Sequence, residues 1–232
     1  MRTSPRIRVL RSSRRFGLEL LAVVLGVTIS FWLEDQRKDR ADRAEEQRLL
    51  ESFATELRGD LATLENYGKR LADDTARMQG ALADDGKLDD KALDALMDTL
   101  LGYAAFRPAT ATYSELRQTG ASRVFRDKAL LRRVLNVYER LYPMAGEWDA
   151  VNREFVLGRA FPYVDEAGPA FASSGEQGYA HGYHLAWRAL RNSPHFRNLL
   201  RSSVVFRQGQ AEAYRLVAGA LKTLVAELPS GK

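Results

Sequence analysis

The sequence predicts an all-α protein in which one membrane-spanning helix continues through a long stalk helix into a helical bundle. An apolar run occupies residues 16–33, and no Gly or Pro interrupts the chain between Val27 and Arg58. Beyond that, apolar residues recur at helical spacing, and strand-type alternation is nearly absent. We therefore divide the chain into a basic tail (1–15), a transmembrane helix (16–33), a charged helical stalk (34–48) and an α-helical bundle domain (49–232).

The apolar run "FGLELLAVVLGVTISFWL" covers Phe16 to Leu33. As a helix, eighteen residues extend about 27 Å, close to the ~30 Å hydrocarbon core of a bilayer. A cleavable signal peptide would end in small residues, whereas Phe31 and Trp32 stand at that position. Aromatic side chains are typical of the membrane interface instead. The run therefore predicts an uncleaved signal anchor rather than a buried core helix or an export signal.

The basic residues of the amino terminus indicate an orientation. The sequence pI is near 9.5, but six arginines precede Phe16 without any acid, and removing their +6 from the net charge of +5 leaves −1 for the remainder. The basic character thus belongs to the tail, which argues against a nucleic-acid partner. Because short positive segments stay on the cytoplasmic side, we expect the amino terminus in the cytoplasm. The C-terminal domain is then periplasmic, with the chain in a bacterial inner membrane.

One face of the predicted span carries small residues. Ala22, Gly26 and Ser30 follow one another at four-residue spacing, and Glu19 falls on the same stripe. Such a pattern lets helix backbones approach closely in lipid. It predicts a homo-oligomer or association with a partner membrane protein, with Glu19 hydrogen-bonded across the contact. Alternatively, Glu19 extends toward the headgroups and pairs with Arg15, one turn earlier.

The next segment, "EDQRKDRADRAEEQR", has no large apolar residue. Its charges alternate in sign, and opposite charges lie four residues apart in Glu34 with Lys38 and in Asp39 with Arg43. This arrangement favours a solvated helix that continues the span as a stalk.

From Leu50 an apolar stripe begins that predicts a buried helix face. Its seven-residue repeat comprises Leu50, Leu57, Leu64, Leu71 and Met78, with Phe53, Leu61 and Tyr67 between them. The stripe fits either an intermolecular coiled coil or an intramolecular bundle. We favour the bundle, because Asp60 and Asp74 occupy what would be partner positions of a strict heptad.

The rest of the body also has helical patterns separated by breaks. "GALADDGK" (80–87) predicts a turn, and a short helix follows with Leu93, Leu96, Met97, Leu100 and Leu101 on one face. "FRPATAT" (106–112) breaks the pattern, a helix from about Asp127 to Leu157 should bend or break at Pro143, and residues 161–183 are typical of a long loop. Ser193 as N-cap and Pro194 begin a last helix that reaches about Leu228.

The segment "TYSELRQTG" (112–120) predicts a short helix that Gly120 ends in the left-handed conformation. Together with the span and "ELRGDLATLE" (56–65), it resembles a family of bacterial single-pass membrane proteins of unknown function that share a TYxEL-type motif. The resemblance covers most of the chain, and it implies an architecture without an activity. It also implies that Tyr113, Glu115, Leu116 and Gly120 are the motif positions.

This motif is the strongest candidate site. Tyr113, Glu115 and Arg117 bring polar groups together and could bind a partner, whereas a structural role would bury Leu116 and use Gly120 as a turn. The sequence contains no cysteine, phosphate-binding loop or nucleophile elbow, and its histidines (His181, His184, His195) lack the spacing of metal ligands. We therefore expect no enzyme, cofactor or metal site. The leading function is a structural or protein-interaction role, and the alternative is a periplasmic ligand-sensing domain that signals through a partner membrane protein.

Overall fold

The structure of this chain is a computed structural model. It describes the backbone of residues 6–83, 86–167 and 183–229, and the side chains of these ranges from residue 20 onward. The described residues form eight α-helices and no strand, which confirms the all-α prediction. The helices are α1 (Arg6–Ala83), α2 (Asp90–Leu101), α3 (Ala111–Thr119), α4 (Lys128–Asn136), α5 (Tyr142–Phe155), α6 (Phe161–Ala167), α7 (Tyr183–Leu190) and α8 (Pro194–Glu227).

The chain divides into two units, Met1–Leu49 and Leu50–Lys232. In the first unit the residues of the predicted span and stalk are helical, as part of α1. Large apolar side chains from Leu20 to Leu33 are exposed. Among the residues that the structure describes, no helix has an apolar stretch long enough to cross a membrane. The start of the predicted span, residues 16–19, lies outside the described side chains.

The second unit, which we call the body, is a helical bundle. The stripe of α1 faces its interior as predicted, since Phe53, Leu57, Leu64 and Met78 are almost wholly buried. Asp60 and Asp74 are buried on the same face. Their carboxylates therefore point into this chain's own interior, which favours the intramolecular bundle over the coiled coil.

Side chains that satisfy free backbone N–H groups define several helix starts. Asp89 accepts a hydrogen bond from the Ala92 N–H at the start of α2, and Asp127 accepts from the N–H groups of Ala129 and Leu130 at the start of α4. Ser193 accepts from the Phe196 N–H, with Pro194 at the first position of α8. This last start is the one that the sequence predicts.

Two prolines that should interrupt a helix are instead accommodated within continuous helical chain. A π-helical segment, Val137–Leu141, joins α4 to α5 just before Pro143, and a second, Val156–Ala160, joins α5 to α6 just before Pro162. In each segment, the residue before the proline donates its backbone N–H to the carbonyl five residues earlier. Tyr142 donates to Val137 in the first segment, and Phe161 donates to Val156 in the second. Of the bend or break predicted at Pro143, the break does not occur, because a wider turn removes the clash between the proline ring and the preceding turn.

The predicted loop of residues 161–183 is also shorter than expected. Its first seven residues, Phe161–Ala167, form α6, and Val164 on that helix is buried. Residues 168–182 lie outside the described residues, as does His181. The turn predicted for residues 80–87 starts later, because α1 continues to Ala83.

The core of the body lies where α5 packs against α8 and α2 packs against α7. One cluster of buried side chains joins the end of α1 to α2, the second π-helical segment, α7 and the start of α8. Its largest members are Trp187, Phe196, Met78, Met97, Leu93 and Leu100. Trp187 and Phe196 meet edge to face, with ring centroids 5.4 Å apart.

Candidate functional site

The "TYSELRQTG" helix packs onto the first π-helical segment. Tyr113 stacks on Tyr138 with centroids 4.8 Å apart and rings 4° from parallel, and its hydroxyl donates to Glu139 Oε1 at 3.1 Å. Arg117 Nη1 lies 3.5 Å from the same oxygen. Since these polar groups pair with Glu139 of the same chain, the described geometry ties α3 to its neighbour.

Leu116 and Gly120 of the motif both have positions that serve the fold. Leu116 is buried, with 2% of its surface exposed. Gly120 ends α3 at φ 64° and ψ 23°, which is the left-handed conformation. Glu115 is half-buried, and its carbonyl accepts from the Thr119 hydroxyl.

Three carboxylates hold the irregular segment between α2 and α3 and the first turn of α3. Backbone N–H groups three residues apart each donate to a buried or half-buried acid: Phe106 to Asp149 at 2.9 Å, Ala109 to Asp60 at 3.1 Å, and Thr112 to Glu56 at 2.9 Å. The acids come from α1 and α5, so this segment is fastened to two helices at once. Segments without regular structure need such partners when they are buried.

Three tyrosine hydroxyls complete this network, and we call them the buried tyrosine set (Tyr138, Tyr142 and Tyr214). Tyr138 donates to Glu56 Oε2 at 3.2 Å, Tyr142 to Asp60 Oδ2 at 2.6 Å, and Tyr214 to Asp149 Oδ1 at 2.6 Å.

Burial, together with the acid that each hydroxyl faces, raises the pKa of all three tyrosines far above the ordinary range. Burial likewise raises the pKa of Asp60, although hydrogen bonds from Tyr142 and Ala109 oppose this effect. The hydroxyls therefore act as fixed donors to the acids.

Gln210 extends the network on α8. Its amide nitrogen donates to Asp149 Oδ1 at 2.7 Å and to the Ala104 carbonyl at 3.0 Å, and its oxygen accepts from Asn152 at 3.3 Å. These contacts join α5 and α8 to the start of the irregular segment.

A second polar cluster surrounds Arg207. Its Nη2 donates to the carbonyls of Thr99 and Gly102, at 2.8 Å for Gly102, so it satisfies the end of α2. Nη1 lies 3.8 Å from Asp74, which also pairs with Arg77. Burial lowers the pKa of Arg207, although Asp74 opposes the shift.

A cavity of about 320 Å³ opens beside this cluster. It is lined by charged residues of both signs and by aromatic rings, among them Arg70, Asp74, Arg77, Asp98, Tyr67 and Tyr103. Gly102 also lines it, and a Cβ at that position would come within 2.6 Å of the Asp98 carbonyl oxygen. The cavity therefore exposes both positive and negative side chains to its interior.

The described histidines have structural partners. His184 places its Nδ1 3.0 Å from Asp94, and its backbone N–H donates to the same carboxylate. His195 stacks on Tyr163 with centroids 4.3 Å apart. In the described ranges, no group of three or more His, Asp or Glu side chains is arranged to hold a metal ion.

Comparisons of the chain with known protein families, with curated proteins and with solved structures found no match in any of the three. The resemblance to the family of single-pass membrane proteins stays an expectation.

The network around the acids was not predicted from the sequence. The polar residues Ser203, Arg207, Gln210 and Tyr214 follow one another at three- and four-residue spacing on α8, and all four are buried. Polar side chains at the core spacing of a helix indicate buried partners. That signal was present in the sequence, but the partners that it requires lie on other helices.

Proposed function

We propose that this chain is a single-pass membrane protein whose all-α body has a structural or protein-interaction role and self-associates. The observation that carries the proposal is a continuous band of exposed apolar side chains on α1. Ten large apolar residues are 47–65% exposed there: Leu20, Leu21, Val23, Val24, Leu25, Val27, Ile29, Phe31, Trp32 and Leu33.

Exposed large apolar residues lie closer together in this band than on the rest of the described surface. From Leu50 onward, exposed large apolar residues are scattered along the described chain, among them Tyr103, Leu157 and Val205. Single residues of this kind are normal on a protein surface, whereas a contiguous patch indicates a binding partner or a membrane. Each such side chain gains about 1.5–3 kcal/mol on leaving water, so ten together favour an apolar environment decisively. Lipid is the partner that we propose.

The six arginines of the tail support a cytoplasmic amino terminus and a periplasmic body in a bacterial inner membrane. Self-association of the span is proposed on the stripe of Ala22, Gly26 and Ser30, with Glu19, whose side chain lies outside the described residues. A Cβ on Gly26 would meet nothing within 4 Å, and the Ser30 hydroxyl donates to the Gly26 carbonyl at 2.8 Å. Because that hydroxyl is satisfied within its own helix, we attribute the association to close backbone approach.

The test of the anchor compares two valines of similar exposure, Val24 in the band and Val205 on α8. Val24→Arg places a charge near the middle of the predicted span, at a cost of about 2.5–3.5 kcal/mol for insertion. We expect the unchanged chain and Val205→Arg to stay in the membrane pellet after an alkaline wash, and Val24→Arg to be depleted from it. Equal release of all three proteins would contradict the anchor.

The cavity beside Arg207 favours a second candidate, the periplasmic ligand-sensing domain that signals through a partner membrane protein. Acids and arginines line the cavity together, so a small zwitterion such as an amino acid would match its charges. Ala95→Leu would fill part of the cavity. Amino acids that raise the melting temperature of the full chain but not of Ala95→Leu would support this candidate, and no shift from any of the twenty would count against it.

A further inference from the structure

The cavity beside Arg207 has more positive than negative side chains in its wall. Three arginines and two aspartates line it: Arg70, Arg77, Arg207, Asp74 and Asp98. The cavity volume of about 320 Å³ lies at the small end of the ~300–1,000 Å³ that is typical of ligand pockets. A wall with a net charge of +1 around a space of this size favours a small ligand that carries a net negative charge.

Arg207 is almost wholly buried, yet one of its terminal nitrogens has no acceptor. Only 4% of the residue is exposed, and Nη2 donates to the carbonyls of Thr99 and Gly102 at the end of α2. Nη1 makes no hydrogen bond within the described chain, because Asp74 Oδ2 lies 3.8 Å away and is too distant. Nη1 is not among the fully enclosed atoms, so it is reached from the cavity that Arg207 lines. A buried guanidinium therefore offers the cavity an open donor position.

Two further charges in the cavity wall have no partner among the described residues. Arg77 pairs with Asp74, whereas Arg70 and Asp98 make no hydrogen bond or ion pair in the part of the chain that the structure describes. Arg70 lies one turn before Asp74 on α1, and Asp98 lies in the last turn of α2. The cavity thus presents two positive groups and one negative group that the described chain does not pair.

Like charges act on both Arg207 and Asp98. Burial lowers the pKa of Arg207, Asp74 only partly offsets this, and the positive charge of Arg70 lowers the pKa further. Burial raises the pKa of Asp98, and the carboxylate of Asp94 raises it further. An anion in contact with the two arginines and a cation beside Asp98 would each reduce this electrostatic cost.

We propose that this cavity binds an amino acid with two carboxylates, of the size of glutamate. Arg207 holds the carbonyl of Thr99, the residue after Asp98, so the two charged side chains meet at the end of α2. They match the carboxylate and the ammonium group that an amino acid carries on one carbon. Arg70, on α1, binds the carboxylate of the ligand's side chain. The ligand's net charge of −1 then complements the cavity.

This inference rests on the second candidate of the proposed function, the ligand-sensing domain, and names the class of its ligand. Arginine binds carboxylates with strong, paired hydrogen bonds, so each arginine selects for one carboxylate. A neutral amino acid leaves Arg70 unpaired. A dicarboxylate without an amine leaves Asp98 unpaired and adds an acid beside it.

Isothermal titration calorimetry of the full chain in detergent micelles measures the affinity for three probes: L-glutamate, L-glutamine and glutarate. Glutamine keeps the ammonium group and one carboxylate, whereas glutarate keeps both carboxylates and lacks the ammonium group. We expect glutamate to bind about tenfold or more tightly than either of the other two, because each of them loses one charged contact.

Two substitutions assign the contacts. Arg70→Gln should weaken glutamate binding about tenfold or more and leave glutamine binding nearly unchanged, because glutamine has no side-chain carboxylate to lose. Asp98→Asn should weaken glutamate binding and should not weaken glutarate binding, because glutarate has no ammonium group. Both residues are exposed, so neither change should lower the melting temperature of the chain without a ligand.

Two matched controls make the same chemical changes outside the cavity. Arg153→Gln and Asp165→Asn alter exposed residues on α5 and α6 that do not line it. Neither control should change the affinity for any of the three probes.

Several outcomes would overturn the inference and leave the ligand-sensing candidate standing. They are a neutral amino acid that binds as tightly as glutamate, glutarate that binds as tightly as glutamate, and glutamate binding that survives both Arg70→Gln and Asp98→Asn. The absence of binding by glutamate and by every other amino acid would overturn the inference and the candidate together.

Discussion

Replacing Asp149 with alanine should destabilise the body more than any surface change. The Asp149 carboxylate is 5% exposed and accepts from the Phe106 N–H at 2.9 Å, the Tyr214 hydroxyl at 2.6 Å and the Gln210 amide at 2.7 Å. Without it, the Tyr214 hydroxyl loses its acceptor. The other two donors keep weaker or alternative partners, since Phe106 lies 3.2 Å from the Tyr214 oxygen and Gln210 still reaches the Ala104 carbonyl.

An unpaired buried donor costs about 1–3 kcal/mol, so one full loss and two partial ones amount to about 2–4 kcal/mol for Asp149→Ala. This is a large fraction of the 5–15 kcal/mol that is typical of a folded domain. Glu147→Ala is the matched control, because Glu147 lies two residues earlier on α5 and is exposed. It should cost no more than about 0.5 kcal/mol.

The assay is urea unfolding of the full chain in detergent micelles, followed by tryptophan fluorescence. Trp187 is buried in the core, so its signal reports the loss of tertiary packing. Free energies of unfolding of Asp149→Ala and Glu147→Ala that lie within about 1 kcal/mol of each other would show that the acid does not hold its three donors.

Three further predictions follow from backbone conformation, packing and titration. Gly120→Val forces a β-branched residue to φ 64° and should cost about 1–3 kcal/mol, whereas Gly146→Val, helical and facing open space, should not lower the melting temperature. The new methyl group of Gly209→Ala would overlap the Trp148 ring, so this change should cost about 1–3 kcal/mol of stability. Gly219, on the same helix, faces open space, so Gly219→Ala should raise stability by up to about 1 kcal/mol. Equal urea midpoints for the two variants would contradict this prediction. The buried tyrosine set has raised pKa values, so its contribution to stability is complete below about pH 10 and is lost as pH rises toward the folded-state values. Of the nine tyrosines, these three should ionise only when the protein unfolds, as followed by tyrosinate absorbance. Ionisation of all nine together in the folded protein would contradict this prediction.

Periodicity in the sequence predicted the buried face of α1 correctly but could not name what it meets. Asp60 stands on that face, and its partners Ala109 and Tyr142 lie 49 and 82 residues further along the chain. A helical repeat gives the direction in which a side chain points and carries no information on which distant element lies there. For this reason the heptad position of Asp60 could be predicted from the sequence, whereas the network that it joins could not.

The continuous helical chain at Pro143 and the helix that begins at Phe161 have a related cause. A proline signals a local clash and a missing donor, and the expected response is a bend or a break. Here each proline follows a π-helical segment, and packing of α5 against α8 keeps the helical chain continuous. The composition of residues 161–183 suggested one long loop, but the helix that begins at Phe161 buries Val164. In both places tertiary packing overrides a local preference.

Thiol accessibility on the two sides of the membrane shows whether the chain crosses it once with its body outside the cytoplasm. Single cysteines are introduced in the otherwise cysteine-free chain, at Ser12 in the basic tail and at Gly146, which is exposed on α5. Intact cells are treated with a small, charged thiol reagent that does not cross the inner membrane. We expect Gly146→Cys to react in intact cells and Ser12→Cys to react only after lysis. Labelling of both sites in intact cells, of neither, or of Ser12→Cys alone would contradict it.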